Sequence, residues 1–382
     1  MKHPFKLFFT CVSALLLASC SHVPSSTALP STSTPNTTNK IALRIYQVLP
    51  VYAKAAKMPW EPIQKNNIQL ASITRERLTA LGMMRDDSLR AAIHEFQVDN
   101  GLKATGVVNQ DTLNALNIPP AERYRELVQS MDQWAKYPED ENSRYVQVNI
   151  PNYSMRLISH GVDVLQMKVI VGRPSRPTPL LNSKITTVVF NPTWTVPKTI
   201  LAKDVIPGMQ INPNYMKEHY DMHIYSSWEK NATEINPTSI DWKTATVNNF
   251  NYRVMAPASD TNPLGRVKFI FDNDHDVYMH DTPEKSLFAM SNRARSSGCI
   301  RLENPMALVE YFYVDNNDLT PDLVNQYLST RETKYIQLRN PMPVYITYIP
   351  AWVDAQGNAH FAEDVYAKKA IDESKEMKKT IA

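Results

Sequence analysis

The spacing of apolar residues changes once along the chain, from a helical period to strict alternation. Over 41–132 apolar residues recur at every third or fourth position, which is the spacing of one helix face. A helix is predicted over 89–100, because Asp87 or Ser88 is placed to cap its start and Gly101 follows its end. The first part of the chain, 41–140, is therefore predicted to be a helical scaffold.

After Arg144 the apolar and polar residues alternate in short runs separated by turn residues, which is the pattern of half-buried strands. The predicted strands cover 145–150, 154–158, 164–171, 186–190, 267–271 and 342–348. Several short strands of this kind favour a mainly-β mixed sandwich over 141–351 rather than a parallel α/β sheet. The complete chain is thus predicted to have an α+β fold, with a C-terminal tail over 352–382 that is expected to be helical.

The alternation lapses over 198–258, where aromatic residues and asparagines are frequent and no clear strand is visible. Roughly sixty residues without structure are unusual inside a compact domain. The segment is therefore predicted to be an inserted capping subdomain that acts as a lid near the functional site. The alternative is a surface elaboration with no role in turnover.

The N-terminus combines a basic start with an apolar run that is too short to be a permanent membrane span, so 1–19 are predicted to be a secretory signal peptide. Its end, Leu17-Ala18-Ser19-Cys20, resembles the lipobox of bacterial lipoproteins. The resemblance implies that Cys20 becomes the lipid-bearing first residue and that the protein is periplasmic, at the inner face of the outer membrane. A plain signal peptide with an incidental cysteine is the alternative. Residues 20–40, rich in Ser, Thr, Pro and Asn, are predicted to be a disordered tether.

Composition narrows the class of function. The 382 residues are 43% hydrophobic and 21% charged, as expected of a protein with a substantial core. A formal net charge of only +3 implies no strong attraction to nucleic acid. Glycine occurs 9 times and proline 27 times, which argues against glycine-rich phosphate-binding loops.

The cysteines point to the chemistry. Of the three in the sequence, Cys11 would leave with the signal peptide and Cys20 would carry lipid, so Cys299 remains as a free thiol without a disulfide partner. It follows a Ser-Gly turn and has His280 upstream, which suggests a nucleophile and its general base. The imidazole is expected to stabilise the thiolate as an imidazolium, and the backbone amides of Gly298 and Cys299 are expected to face the oxyanion.

Three further residues near this pair have two interpretations each. Tyr278 is either a hydroxyl donor in the site or a core tyrosine. Arg301 is placed to hold a substrate carboxylate bidentately, or else forms a structural ion pair. Trp194 either walls the cleft or belongs to an aromatic core.

Part of the helical region resembles the peptidoglycan-binding module of wall enzymes. The residues that carry the resemblance are Phe96, Gln97, Gly101, Leu102, Thr105, Gly106, Val107, Thr112, Leu113 and Leu116. Family members usually have Asp-Gly where this chain has Thr105-Gly106. The alternative is that these helices only pack on the catalytic domain.

The region 142–348 resembles the YkuD-type L,D-transpeptidase catalytic domain, and together with the helical module it resembles the larger, YcbB-like members. The matching segments are 149–151, 169–173, 178–179, 191–197, 262–266, 280–282 and 296–302. Two positions depart from the commoner family pattern: Asp281 replaces a glycine after the histidine, and Ser297 replaces a histidine before Gly298. The resemblance implies either the Asp281 backbone carbonyl or Ser297 as the group that orients His280.

The resemblance also implies the reaction. Cys299 would attack a peptidoglycan tetrapeptide stem after its third residue, release D-alanine, and pass the acyl group to a side-chain amine to form a 3→3 crosslink. No metal or other cofactor is implied, and carbapenem-type β-lactams are expected to acylate Cys299. Peptidoglycan and, through Cys20, the membrane are the expected partners.

Other functions remain open at this point. One is a cysteine carboxypeptidase or endopeptidase acting on the same stems. Another is a non-catalytic, lipid-anchored wall-binding protein that depends on the helical region. A zinc site at His275 and His280 is disfavoured, because strand alternation would place residues five positions apart on opposite faces.

Overall fold

The computed structural model describes residues 29–229, 231–314, 316 and 318–367. The predicted signal peptide and Cys20, which is predicted to carry lipid, lie outside the described residues, as do 20–28 of the predicted tether and 368–382 of the tail. Helices form the first third of the described chain, and strands dominate the remainder. None of the described helices is both long and apolar enough to cross a bilayer.

The predicted helical scaffold contains helices, three of which begin at a side-chain cap. Its members are α1 (Lys40–Ala55), α2 (Leu70–Ala80), α3 (Leu89–Asp99), α4 (Gln110–Leu116) and α5 (Pro120–Trp134). The Ser88 side chain accepts a hydrogen bond from the Ala91 N–H at the start of α3, and Asn39 and Asn109 do the same for α1 and α4. The predicted helix over 89–100 is therefore confirmed, with Ser88 rather than Asp87 as its cap.

One buried glutamine fixes the turn between α3 and α4. The Gln97 Nε2 donates to the Thr112 Oγ1 at 2.8 Å and to the Val107 carbonyl at 2.9 Å, and Oε1 accepts from the N–H groups of Thr105 and Gly106. Gln97 is fully buried, so each of these bonds satisfies a group that water does not reach. The bonds explain why Gln97, the Thr-Gly turn and Thr112 occur together.

The rest of the chain alternates strands with short helices. After α5 come β1 (Arg144–Asn149), β2 (Ser154–Ser159), β3 (Val162–Gly172), β4 (Leu181–Phe190), β5 (Trp194–Thr195), α6 (Lys198–Ile200), a π-helical turn (Leu201–Val205), α7 (Ile206–Ile211), α8 (Tyr215–Glu218), β6 (His223–Tyr225), β7 (Glu234–Ile235), a 3-10 turn (Pro237–Ser239) and β8 (Arg253–Ala256). They are followed by β9 (Val267–Phe271), β10 (Met279–His280), a second 3-10 turn (Lys285–Ala289), β11 (Ala294–Ser296), β12 (Ile300–Leu302), α9 (Pro305–Tyr311), α10 (Pro321–Thr330), β13 (Lys334–Thr347), β14 (Ala351–Val353) and β15 (Ala359–Phe361).

The main sheet has nine strands in the order β11-β3-β12-β10-β9-β4-β13-β1-β2. The long β3 also pairs with β2, so the sheet curls back on itself around an apolar core. Three pairings are parallel (β1 with β13, β10 with β12, and β11 with β3), and the others are antiparallel. The α+β fold with a mixed, mainly-β second part is confirmed.

The insert predicted over 198–258 spans residues 194–256 and contains strands that its sequence pattern did not reveal. Its four strands form a separate sheet in the order β5-β8-β6-β7, and it has its own apolar core that includes Met209, Ile224 and Val254. Each strand is two to four residues long. Such strands are too short to display an alternating pattern, and β5 pairs with β8 from the other end of the insert.

The predicted helical tail and the predicted disordered tether also differ from expectation where the structure describes them. Residues 352–367 do not form a helix, because β14 and β15 make a hairpin whose turn contains Gly357 at φ +87°. This hairpin packs on α1 and α5. The described end of the predicted tether is held to α5, where the Tyr124 hydroxyl donates to the Pro30 carbonyl at 3.2 Å and the Thr37 hydroxyl donates to the Ala135 carbonyl at 3.1 Å.

Candidate active site

Two short parallel strands, β10 and β12, place the predicted nucleophile and base on one face of the sheet. Their register pairs Met279 with Ile300, and both side chains are completely buried in the core. Side chains alternate along a strand, so the residues on either side of this buried pair point the other way. That opposite face carries Tyr278, His280, Cys299 and Arg301.

The Cys299 thiol is half-buried and lies 3.9 Å from the Asp276 carbonyl oxygen. Burial raises its pKa, and this effect is opposed by hydrogen bonding from Tyr278 and by the positive charges of Lys268 and Arg301. The raised pKa leaves the sulfur protonated at neutral pH. A base is therefore needed when the sulfur attacks.

His280 is a neutral base held in one tautomer. Its Nδ1 lies 2.5 Å from the Asp281 carbonyl oxygen, so Nδ1–H donates there and Nε2 keeps its lone pair. The ring is 4% exposed, and this burial, with the charges of Arg301 and Lys268, lowers the pKa of His280 to about 3. The expectation that His280 is an imidazolium beside a thiolate was therefore wrong, because burial keeps the imidazole ring neutral. No hydrogen bond between described residues joins this ring to the thiol.

One of the two positive charges that act on the thiol comes from Lys268, which the sequence interpretation missed. Antiparallel pairing of β9 with β10 sets Lys268 opposite His280, and its Nζ lies 3.7 Å from the centroid of the Tyr278 ring. Burial lowers the pKa of Lys268, while Cys299 and Asp276 raise it. We call Lys268, Tyr278, His280, Cys299 and Arg301 the site face.

Asp281 fits the site because a glycine faces it. Its carboxylate accepts from the Arg266 N–H at 2.9 Å and from the Lys285 Nζ at 2.7 Å. A Cβ on Gly265 would lie 2.4 Å from the Asp281 Oδ2, so only glycine leaves room there. The aspartate that stands here in place of the usual family glycine therefore holds its own backbone carbonyl in position, and this carbonyl orients His280.

The nucleophile loop, residues 296–299, is shaped by internal hydrogen bonds. The Ser296 hydroxyl donates to the Cys299 carbonyl at 2.5 Å and accepts from the Gly298 N–H at 3.1 Å. The Gly298 amide is therefore engaged and does not face an oxyanion, which corrects the prediction made for it. The Cys299 N–H has no acceptor among the described residues and remains available as an oxyanion donor.

A buried threonine anchors the same loop from the β3–β4 connection. The Thr178 hydroxyl donates to the Gly298 carbonyl at 2.7 Å and accepts from the Gly172 N–H at 2.8 Å. Tyr366 supports this threonine, because its hydroxyl accepts from the Thr178 N–H at 3.1 Å and donates to the Gly172 carbonyl at 2.6 Å. Residues beyond the main sheet thus help to set the position of Cys299.

Ser297 points toward the insert rather than toward His280. Its exposed hydroxyl accepts from Arg176 at 2.9 Å and from Arg173 at 3.3 Å. The Arg176 guanidinium also binds both carboxylate oxygens of Asp204, at 2.5 and 2.9 Å. Asp204 lies in the π-helical turn of the insert, so this chain of contacts connects the insert to the nucleophile loop.

The remaining predicted residues have structural contacts. Arg301 forms an ion pair with Glu284, as its structural interpretation required. Trp194 is 8% exposed within the insert core and packs edge-to-face on Tyr220, which favours the core role. Tyr278 is a site-face residue, and its ring lies 5.6 Å from that of His280.

Comparison with known families finds two family models that match parts of the chain. Residues 143–324 match the YkuD family model, described as "L,D-transpeptidase catalytic domain". This part of the chain is similar to an L,D-transpeptidase catalytic domain. Residues 83–116, which contain Gln97, match a model described as "Putative peptidoglycan binding domain".

Individual relatives carry the same name. A protein from Haemophilus influenzae named "Putative L,D-transpeptidase" is 36% identical over 219 residues, which are 57% of this chain and 43% of that protein. The chain thus matches less than half the length of this relative. A solved L,D-transpeptidase from Mycobacterium smegmatis has 12% identity and a TM-score of 0.25, covering 54% of this chain and 59% of its own. Another, from Stackebrandtia nassauensis, has 12% identity and a TM-score of 0.25, covering 76% and 97%.

Of the residues missed from sequence, only Lys268 had a visible signal. It is the polar position between the apolar Val267 and Phe269 of a predicted strand, so it had to face away from the core. Thr178 and Tyr366 had none, because their partners are distant in sequence. In the described part of the chain no cluster of three or more His, Cys, Asp or Glu side chains is arranged to hold a metal ion.

Proposed function

We propose that this protein is a peptidoglycan L,D-transpeptidase with Cys299 as its nucleophile. The observation that carries the proposal is the site face of an L,D-transpeptidase catalytic domain, on which Cys299 accompanies a neutral His280 with its Nε2 lone pair free. The peptidoglycan-binding match at 83–116 supports the same polymer as substrate.

The first half-reaction would form a thioester. The Cys299 sulfur bonds to the carbonyl carbon of the third stem residue, and the carbon–nitrogen bond to D-alanine breaks. The pKa of Cys299 is raised and the pKa of His280 is lowered to about 3, so the proton stays on sulfur in the resting enzyme. Proton transfer to Nε2 therefore accompanies attack, and the same proton then passes to the departing amine of D-alanine.

The negative charge that develops on the oxyanion and on the sulfur in this step is stabilised by identifiable groups. The Cys299 N–H is available to the oxyanion, and loss of such a donor typically costs ~3 kcal/mol of transition-state stabilisation. Lys268 and Arg301 both favour the anionic form of the sulfur. These two side chains supply the positive charge that was expected from an imidazolium.

In the second half-reaction an amine from another stem attacks the thioester and Cys299 leaves as the thiol. A diamino-acid side chain as acceptor gives the 3→3 crosslink, whereas water gives a trimmed stem. We favour the amine, because the name shared by the domain family and the Haemophilus influenzae relative is that of a transpeptidase.

The location is proposed from the sequence. We propose export through the signal at 1–19 and lipid attachment at Cys20, with the enzyme held at the inner face of the outer membrane. Metabolic labelling with a fatty acid analogue, compared between the native chain and Cys20→Ala, measures this directly. Equal labelling of the two proteins would exclude an anchor at Cys20.

The catalytic proposal is tested by intact mass after incubation with a carbapenem, followed by peptide mapping. One adduct on Cys299, absent in Cys299→Ala, is expected. With purified tetrapeptide stems, crosslinked dimers and free D-alanine are expected. Absence of the adduct, or its location elsewhere, contradicts Cys299 as nucleophile, and trimmed monomers alone identify a carboxypeptidase.

A further inference from the structure

The insert carries a groove that is separate from the site face. It has a volume of about 680 Å³ and is lined by residues of 196–203 and 247–254 together with Trp228. This volume lies within the range of ligand-binding clefts. None of the site-face residues lines it.

The groove is positively charged. Lys198 and Lys203 line it, both exposed, and no carboxylate is among its described lining residues. Asp204, the next residue along the chain, is bound to Arg176 instead. The two ammonium groups therefore face solvent without an anionic partner in the described chain, and they favour a ligand that bears carboxylates.

The rest of the lining suits a ligand with amide groups and an apolar face. Trp228 is 59% exposed at the groove, and Val254 and Phe250 are buried beneath it. The side chains of Asn248 and Asn251 line the groove and hydrogen-bond to no other described residue. An exposed tryptophan offers a flat apolar surface to a sugar ring or a peptide plane, and the two amides offer donors and acceptors.

We propose that this groove binds a second, non-reacting segment of peptidoglycan, namely an anionic peptide stem with its attached sugar. The inference rests on the proposed function for its polymer, and it adds a site that does no chemistry. Lys203 and Asp204 share the π-helical turn of the insert, and Asp204 reaches Ser297 through Arg176. A peptidoglycan segment bound in the groove is thereby held on the part of the insert that contacts the nucleophile loop. Binding there raises the local concentration of further stems near Cys299.

The test uses the full chain with Cys299→Ala, which removes the nucleophile so that binding is measured without turnover. The disaccharide tetrapeptide released from peptidoglycan by a muramidase is titrated by calorimetry at low salt. Lys198→Gln with Lys203→Gln is expected to raise Kd about 3–10-fold, since two exposed charge pairs are lost. Added salt should weaken binding to the parent and flatten this difference.

The matched control is Lys217→Gln with Lys243→Gln, two exposed lysines of the insert outside the groove, for which an unchanged Kd is expected. Trp228→Ala tests the apolar contact independently of charge and is expected to weaken binding as well. Circular dichroism of each variant verifies that the insert has folded.

The outcomes separate the two proposals. An unchanged Kd in both groove variants, no binding by the parent, or equal competition by polyglutamate overturns the groove. The carbapenem adduct is measured on the protein with Cys299 intact and does not involve the groove. An adduct at Cys299 with unchanged stem binding thus refutes only the groove, whereas a missing adduct refutes the proposed function.

Discussion

The substitution Thr178→Val should change the position of Cys299 while leaving that residue itself unaltered. Thr178 is 2% exposed, and its hydroxyl is the link between the Gly298 carbonyl and the Gly172 N–H. Valine has nearly the same shape and fills the same space. The change therefore isolates the hydroxyl and its two hydrogen bonds.

The cost arises from the two groups left behind. Each buried polar group without a partner costs about 1–3 kcal/mol, so the pair amounts to about 2–6 kcal/mol of unfolding free energy. If the loop relaxes to recover these bonds, the position of Cys299 changes instead. A misplacement of about 1 Å typically slows a reaction about 100-fold. The structure therefore predicts a loss of stability, a loss of acylation rate, or both.

Two measurements check this expectation. Urea unfolding measures the free energy of unfolding, and stopped-flow or mass-resolved acylation by a carbapenem measures the reactivity of Cys299. Tyr366→Phe removes the hydroxyl that supports Thr178 and should give a smaller loss in the same direction. Thr186→Val is the control, because that hydroxyl meets only the Thr187 hydroxyl, at 3.4 Å. Wild-type stability together with a wild-type acylation rate in Thr178→Val would refute the reasoning.

Three further predictions address other parts of the molecule. Because the pKa of His280 is lowered to about 3, the unfolded chain takes up a proton that the folded chain does not, so stability should fall as pH drops from about 6.5 to 3, by up to ~1.4 kcal/mol per pH unit. Urea midpoints across pH should lose this slope in His280→Gln, and an identical slope would contradict a buried neutral ring. Gln97→Leu should unfold the module at 83–116 and weaken pull-down by peptidoglycan while the carbapenem adduct still forms; pull-down equal to that of the native chain would exclude a contribution of the module to binding. A double-mutant cycle of Asp204→Ala and Arg176→Ala should give a coupling of about 1–2 kcal/mol in urea unfolding, and additivity would mean that the pair does not tie the insert to the nucleophile loop.

The main sheet could be predicted because its strands are long enough to alternate. Strand β13, for example, has 14 residues, and Met342, Val344 and Ile346 are buried at every second position. The insert has strands of two to four residues, and its core is assembled from positions spread over sixty residues of chain. A local pattern cannot identify such a core, because each strand contributes at most two buried side chains.

For the site as well, some features could be predicted from the local sequence, whereas others depend on contacts between distant residues. Cys299 and His280 stood out by residue type and motif, and the side of the sheet they share is set by one register between β10 and β12. The electrostatics of the site could not be inferred from residue type. Thiol and imidazole suggest an ion pair, but burial lowers the pKa of the imidazole to about 3 and raises that of the thiol. Burial is a property of the folded chain.

This difference changes what the site requires of its neighbours. A thiolate–imidazolium pair would carry its own positive charge, whereas two neutral groups need that charge from elsewhere when the sulfur attacks. Lys268 is set opposite His280 by the β9–β10 register, its Nζ lies over the Tyr278 ring, and its charge lowers the pKa of the thiol. Lys268→Met should therefore slow acylation of Cys299 more at neutral pH than at a pH near the thiol pKa, where the sulfur ionises without help. A uniform loss across pH would instead assign Lys268 to packing alone.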